Sequence, residues 1–193
     1  MKKIIFDLDD TLYKDKSLRG EREKAIIKAL KGKTKKYREL RKTCSTIESL
    51  EKLGVSRKEF YEIMGKVPIK LKKDKELREF ITELESKYKL VVLTNSPSWC
   101  AKKILTQLGI LNLIDKIYGG DCFKEAKPSE ECFFMVNKGD ICVGNNFKKD
   151  LSVPQKKGAV TVLISEEDSA DSDFNIRNIY ELSRVIEAIE THQ

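Results

Sequence analysis

Four short stretches of this 193-residue chain hold the residue types that chemistry needs. Asp7-Leu8-Asp9-Asp10-Thr11 follows the apolar run Ile4-Ile5-Phe6. Thr94-Asn95-Ser96 follows Leu90-Val91-Val92-Leu93. Gly144-Asn145-Asn146, with Asp150 soon after, follows Ile141-Cys142-Val143, and Lys127-Pro128 stands between the last two. Asp7 and Asp9 are two apart on an extended segment, so both can point the same way. Two carboxylates that close repel unless a cation lies between them or one is protonated. Mg²⁺ takes oxygen ligands and keeps room for waters and phosphate oxygens. A carboxylate can also attack phosphorus and form an aspartyl-phosphate. A second acid then protonates the leaving oxygen and later activates water. The donors at Thr94 and Asn95 and the ammonium of Lys127 would neutralise charge on the transferred group.

These stretches, in this order, resemble the motifs of the haloacid dehalogenase-like hydrolase superfamily. FDLDDTLY at 6–13 resembles the first motif, LTNS at 93–96 the second, Lys127-Pro128 the third and VGNNFKKD at 143–150 the fourth. The resemblance implies that Asp7 is the nucleophile and Asp9 the acid/base. It implies that Thr94 and Lys127 bind phosphate, and that Mg²⁺ sits on the Asp7 carboxylate, the Asp9 carbonyl and the fourth motif, Asn145 and Asp150. The dehalogenases of that superfamily lack the second aspartate and use no metal, so Asp9 points to phosphoryl transfer. One position departs from the pattern: Asn145 stands where the fourth motif carries its first acid. An amide oxygen still ligates Mg²⁺ but brings no charge, so weakened metal affinity with retained chemistry is expected. FDLDDTLY followed by a helical module is also similar to pyrimidine 5′-nucleotidase-like members.

The elements that must position these residues follow from periodicity. Residues 74–87 place Leu77, Phe80, Ile81 and Leu84 on one helical face. Pro97 opens a helix at its first turn, ending near Gly109. Ile114–Tyr118 and Ala159–Ile164 read as strands, and 128–138, 148–157 and 178–190 as helices. Strand–helix alternation of this kind predicts an α/β, Rossmann-like, doubly wound parallel sheet. Residues 16–73 differ: they are basic and helical, over 19–31, 34–53 and 56–65, with Gly32 and Gly54 as helix ends. They form a small all-helical module inserted after the first strand, as the superfamily's C1 cap does, leaving 1–15 and 74–193 as core. The acidic stretch 166–175 reads as a surface loop, Trp99 and Tyr13 as packing residues, and Phe133 and Phe134 as core. Thr11, Leu12 and Tyr13 are expected to shape the hinge into the cap.

Composition narrows the class. Residues 14–75 hold 21 Lys or Arg against 9 Asp or Glu, while the whole chain is only +7. The rest is therefore acidic, and an uneven balance of this kind suits an anionic partner. A small phosphorylated metabolite, a nucleotide or sugar phosphate, fits a module of about 58 residues that closes over the site. Arg19, Arg22, Lys24 and Arg41 are the cations that could meet it. The alternative is a catalytically weakened member that binds or regulates, or that associates with nucleic acid through the basic segment. Five cysteines without C-x-x-C spacing, and His192 as the single histidine, argue against zinc. Buried free thiols are the default, with Cys122–Cys132 or Cys132–Cys142 pairing left open. No apolar run spans a membrane and no signal peptide is legible, so a cytoplasmic protein is expected.

Overall fold

The computed structural model describes residues 2–167 and 169–191. The chain divides into two compact units, Met1–Lys14 with Leu71–Gln193, and Asp15–Lys70. His192, considered above as a metal ligand, lies outside the described residues.

The larger unit is a six-stranded, wholly parallel sheet with flanking helices. Its strands are β1 (Lys3–Phe6), β2 (Lys89–Leu93), β3 (Lys116–Tyr118), β4 (Ile141–Gly144), β5 (Val160–Ile164) and β6 (Phe174–Ile176), in the order β3-β2-β1-β4-β5-β6. The central strands are near-continuous apolar runs because both faces of a parallel sheet are covered. Ile4, Phe6, Leu90, Val92 and Val162 are fully buried. Register pairs Phe6 with both Val92 and Val143, so β1, β2 and β4 end within one residue of one another.

Helix α5 (Lys75–Glu85) buries the face predicted for it, Leu77, Phe80, Ile81 and Leu84, and Asp74 caps its start by accepting from the Leu77 N–H at 2.9 Å. Helix α6 (Ser98–Leu108) begins one residue after Pro97, which takes the capping position instead of the first turn. It ends on Gly109 at φ 83°, the left-handed cap that glycine allows. Helix α7 (Ser152–Lys156) follows a wide turn at Phe147–Leu151, and α8 (Leu182–Thr191) follows a short turn at Ile179–Glu181.

Several expectations need correction. The segment 128–138 is no α-helix and holds only a four-residue 3₁₀ turn, Glu130–Phe133. Cys132, Phe133 and Val136 reach the core through tight turns such as Cys132 N–H to the Ser129 carbonyl at 3.1 Å and Val136 N–H to the Phe133 carbonyl at 3.1 Å. Tight turning throws Phe134 outward, and it is 60% exposed. Trp99 is likewise 42% exposed and does not pack as a core residue. The stretch read as an acidic loop contributes Phe174 and Asn175 to the edge strand β6. Three residues at a sheet edge leave no apolar run to recognise, and only period-two Phe174 and Ile176 mark it.

The smaller unit is all helical: α1 (Lys16–Ala29), α2 (Thr34–Leu40), α3 (Thr46–Glu51) and α4 (Arg57–Gly65), with α1 and α3 packed on α4. The single helix expected over 34–53 is broken. Ser45 and Glu48 form a capping box, with Ser45 N–H to Glu48 Oε2 at 2.6 Å and Glu48 N–H to Ser45 Oγ at 3.2 Å. That reciprocal pair starts a helix and so ends the one before it. Ser56 and Glu59 repeat the device at the head of α4. All five cysteines are free thiols.

Candidate active site

Strand order reverses between β1 and β4, and in open parallel sheets ligands bind beyond the carboxyl ends at such a point. Asp7 stands there. Its N–H donates to the Val143 carbonyl at 2.9 Å, which carries the pairing one step past β1. The chain then turns tightly: Leu12 N–H reaches the Leu8 carbonyl at 3.1 Å, and Asp10 sits at φ 65°. An aspartate tolerates that left-handed conformation better than most residues. Buried Leu8 and Leu12 anchor the turn, and Thr11 folds back to donate from Oγ1 to Asp7 Oδ2 at 3.2 Å.

Lys127 is the centre of the site. Although it is a lysine, it is 2% exposed. Its Nζ donates to Asp7 Oδ1 at 2.7 Å, to Asp150 Oδ1 at 2.8 Å and to the Leu93 carbonyl at 2.8 Å, which occupies all three ammonium donors. Asp150 Oδ2 accepts from the Asn146 N–H at 3.1 Å. Burial and the nearby Asp150 carboxylate push the Asp7 carboxyl up to about 6, against the pull of Lys127. Burial disfavours the Lys127 charge, but Asp150 and Asp7 outweigh it and hold the ammonium protonated, above the usual lysine range.

The residues at 94–96 divide their work. Thr94 is buried, its N–H donates to the Tyr118 carbonyl at 2.9 Å, and its Oγ1 accepts the Ser96 N–H at 3.1 Å. The Asn95 side chain faces Lys127's backbone: Lys127 N–H donates to Asn95 Oδ1 at 2.8 Å and Asn95 Nδ2 to the Lys127 carbonyl at 3.3 Å. The amide named above as a phosphate donor thus braces the lysine loop. Ser96 Oγ donates to Asp9 Oδ2 at 3.0 Å, and the Tyr13 hydroxyl donates to Asp9 Oδ1. Asp9 is half-buried, turned to these two groups. In the sequence Ser96 lies in a reactive stretch without an assigned role and Tyr13 reads as a packing and hinge residue, since a tyrosine four residues on signals nothing until the turn brings it back to Asp9.

Two glycines matter sterically. A Cβ on Gly119 would lie 2.2 Å from the Ser98 backbone nitrogen, and one on Gly144 would lie 2.5 Å from Asp150 Cβ. Gly144 is therefore required for Asp150 to reach Lys127. Gly144→Ala is expected to displace Asp150, lower stability by about 1–3 kcal/mol as overpacking does, and cut turnover with it. A thermal melt together with a turnover assay checks this, and a variant as stable and active as the parent contradicts it.

The residues present fit a divalent cation. The Oδ1 of Asn145 is buried and has no hydrogen-bond partner, an omission that native structures rarely leave unexplained. It follows β4 directly, beside the strand end that carries Asp7. Among the described residues no cluster of three or more Asp, Glu, His or Cys side chains is set to hold a metal, so an ion here would draw on the amide and backbone carbonyls as well. Formally, Asp7, Asp9 and Asp150 outnumber Lys127 by two charges, which is what Mg²⁺ would balance before a phosphate approached.

Comparison with known proteins adds the family. A family model described as haloacid dehalogenase-like hydrolase matches residues 4–139, which takes in the first three motifs but not Asn145 or Asp150. A stretch of 41 residues is 42% identical to a phosphoglycolate phosphatase from Cereibacter sphaeroides, covering 21% of this chain and 19% of that protein. The match thus spans about a fifth of that relative's length. Two solved structures are similar nearly end to end. One is β-phosphoglucomutase from Clostridium difficile, at 18% identity over 100% of this chain and 98% of that one, with a TM-score of 0.71. The other is YfnB from Bacillus subtilis bound to magnesium, at 15% identity over 96% and 98%, with a TM-score of 0.61. At such identities the likeness shows the fold.

Proposed function

Because the chain belongs to the haloacid dehalogenase-like hydrolase family, we propose that it is a magnesium-dependent phosphate-monoester hydrolase whose nucleophile is Asp7. The carrying observation is the buried Lys127 ammonium between Asp7 and Asp150. It keeps a carboxylate ionised in a site from which water is largely excluded, and it supplies positive charge where a transferred phosphoryl group would gather negative charge. Asp7 attacks phosphorus and the bond to the leaving oxygen breaks. Asp9 gives that oxygen its proton, then takes one from the water that cleaves the aspartyl-phosphate, which releases phosphate and restores Asp7. Thr94 and Lys127 bind the phosphoryl oxygens, with Asn95 bracing Lys127. When bound, Mg²⁺ on Asp7, the Asp9 carbonyl, Asn145 and Asp150 would neutralise charge between nucleophile and phosphate.

The substrate in this reading is a small phosphorylated metabolite, a nucleotide or sugar phosphate. A phosphoglycolate phosphatase with a locally similar sequence and a β-phosphoglucomutase of similar fold both bear names of enzymes acting on small phosphorylated metabolites. The helical unit would act as cap. Among the described residues no helix is long and apolar enough to cross a membrane, and five free thiols suit a cytoplasmic enzyme.

The test is release of phosphate from a panel of nucleotide and sugar monophosphates with and without Mg²⁺. Turnover that needs the ion supports the reading. No turnover on any ester defeats it and leaves a binding role. Asn145→Asp adds a charge to the ion site, so the Mg²⁺ concentration for half-maximal rate is expected to fall roughly tenfold, about 1.4 kcal/mol. An unchanged requirement removes Asn145 from the ion site.

A further inference from the structure

Resting on the reading of Asp9 as the proton donor, we propose that Tyr13 and Ser96 are positioning residues that aim the Asp9 carboxyl at the leaving oxygen. The Asp9 side chain is half-buried on a turn, with two rotatable bonds to settle. Each of its oxygens is held from a different segment: Oδ1 by the Tyr13 hydroxyl and Oδ2 by Ser96 Oγ at 3.0 Å. Both holders are themselves fixed. Tyr13 is brought back beside Asp9 by the turn at Asp10, whose N–H donates to the Tyr13 carbonyl at 2.9 Å, and Asp9 and Tyr13 pair as an isolated bridge. Ser96 is tied through its N–H to Thr94 Oγ1 at 3.1 Å and through its carbonyl to the Gly120 N–H at 2.9 Å. One holder thus belongs to the turn after β1 and the other to the loop after β2, so the carboxyl is located from two separate segments. Hydroxyls both donate and accept. With the proton on one oxygen and turned to the leaving group, the other oxygen still accepts from its hydroxyl, so Asp9 stays held from one side while it acts. A general acid acts only within hydrogen-bond reach of its target, which makes this aim a rate term.

Leaving groups separate aim from simple stability. An alkoxide needs a proton to depart, whereas p-nitrophenolate does not. With Mg²⁺ saturating, kcat/KM is measured for β-glycerol phosphate and p-nitrophenyl phosphate with wild type, Tyr13→Phe, Ser96→Ala, the double variant, Ser96→Thr and Asp9→Asn. For Tyr13→Phe and Ser96→Ala the alkyl ester is expected to lose about 10- to 100-fold and the aryl ester much less. Ser96→Thr, which keeps the hydroxyl, should recover the alkyl ester. Equal losses on both esters, or none, overturn the proposal. If Asp9→Asn loses the alkyl ester selectively while the other variants do not, only the positioning role fails. If Asp9→Asn shows no such selectivity, or wild type hydrolyses neither ester, the acid role of Asp9 fails and this inference with it. Thermal melts of each variant confirm that it is folded.

Discussion

Lys127→Met is expected to cost about 3–5 kcal/mol of stability, the range for breaking a buried ion pair from one side, and to cut turnover by at least about 100-fold. The ammonium reaches Asp7 Oδ1, Asp150 Oδ1 and the Leu93 carbonyl, each within 2.8 Å. Methionine fills the volume but leaves two carboxylates facing one another out of water. The pH dependence of the loss identifies its cause. Burial and Asp150 already raise Asp7 to about 6, and Lys127 is one of the groups pulling it down. Without Lys127 the Asp7 value rises further. A carboxyl whose folded value lies above its unfolded one binds its proton more tightly in the folded state, so stability falls as pH rises between the two. The variant should therefore melt markedly higher at pH 5 than at pH 8. In the wild type Lys127 has the opposite linkage. Its raised value contributes stability that is complete below the ordinary lysine range and is lost only on rising through the folded value, so it adds no slope between pH 5 and 8. A Lys127→Met melting point independent of pH over that interval would show that the two carboxylates do not face each other.

Asp7→Asn separates activity from stability in the other direction. Loss of the nucleophile is expected to lower turnover by at least about 1000-fold, roughly 4 kcal/mol of transition-state stabilisation. Stability should hold or improve. Because the folded Asp7 value, about 6, exceeds the ordinary 3.8, an ionised Asp7 is a burden that is complete above pH 6 and absent below 3.8. Asparagine removes that charge, and its amide oxygen still accepts from Lys127, which keeps Asp150 as partner. The variant should melt at or above the wild type at pH 8, with the difference fading towards pH 4. Retained turnover would exclude Asp7 as nucleophile, and a lower melting point at pH 8 would mean that the Lys127 pair outweighs the burial of the charge.

What the sequence alone determined is the set of elements and the reactive stretches at their ends. Apolar runs such as Ile4-Ile5-Phe6 and Leu90–Leu93 are legible because a parallel strand covered on both faces must be apolar throughout. Polar residues placed directly after such runs must emerge at one edge of the sheet. The family resemblance of four motifs in order was legible for the same reason. Helix α5 was equally plain, since a single apolar face suffices to define it. Where local signals competed, the reading failed. Residues 34–53 look helical throughout until the Ser45–Glu48 box is seen closed, and Phe134 looks like core until tight turns point it outward.

Only the tertiary structure decided how the reactive groups meet. Strand order sets β1 beside β4, so Asp7 and Asp150 share one ammonium, although 143 positions separate them. Motif order singles out Lys127 among the lysines, but no sequence signal shows that it is buried between two carboxylates. Its burial and its three convergent oxygens are set by the fold. Likewise Asn95 turned to the lysine's backbone, Gly144 proved indispensable to Asp150, and Tyr13 and Ser96 closed on Asp9. Each of these depends on contacts between segments far apart in the chain or on a turn whose closure is decided in three dimensions. Residue identity and periodicity specify what a segment can form, and the pairing of distant segments specifies which of its groups touch.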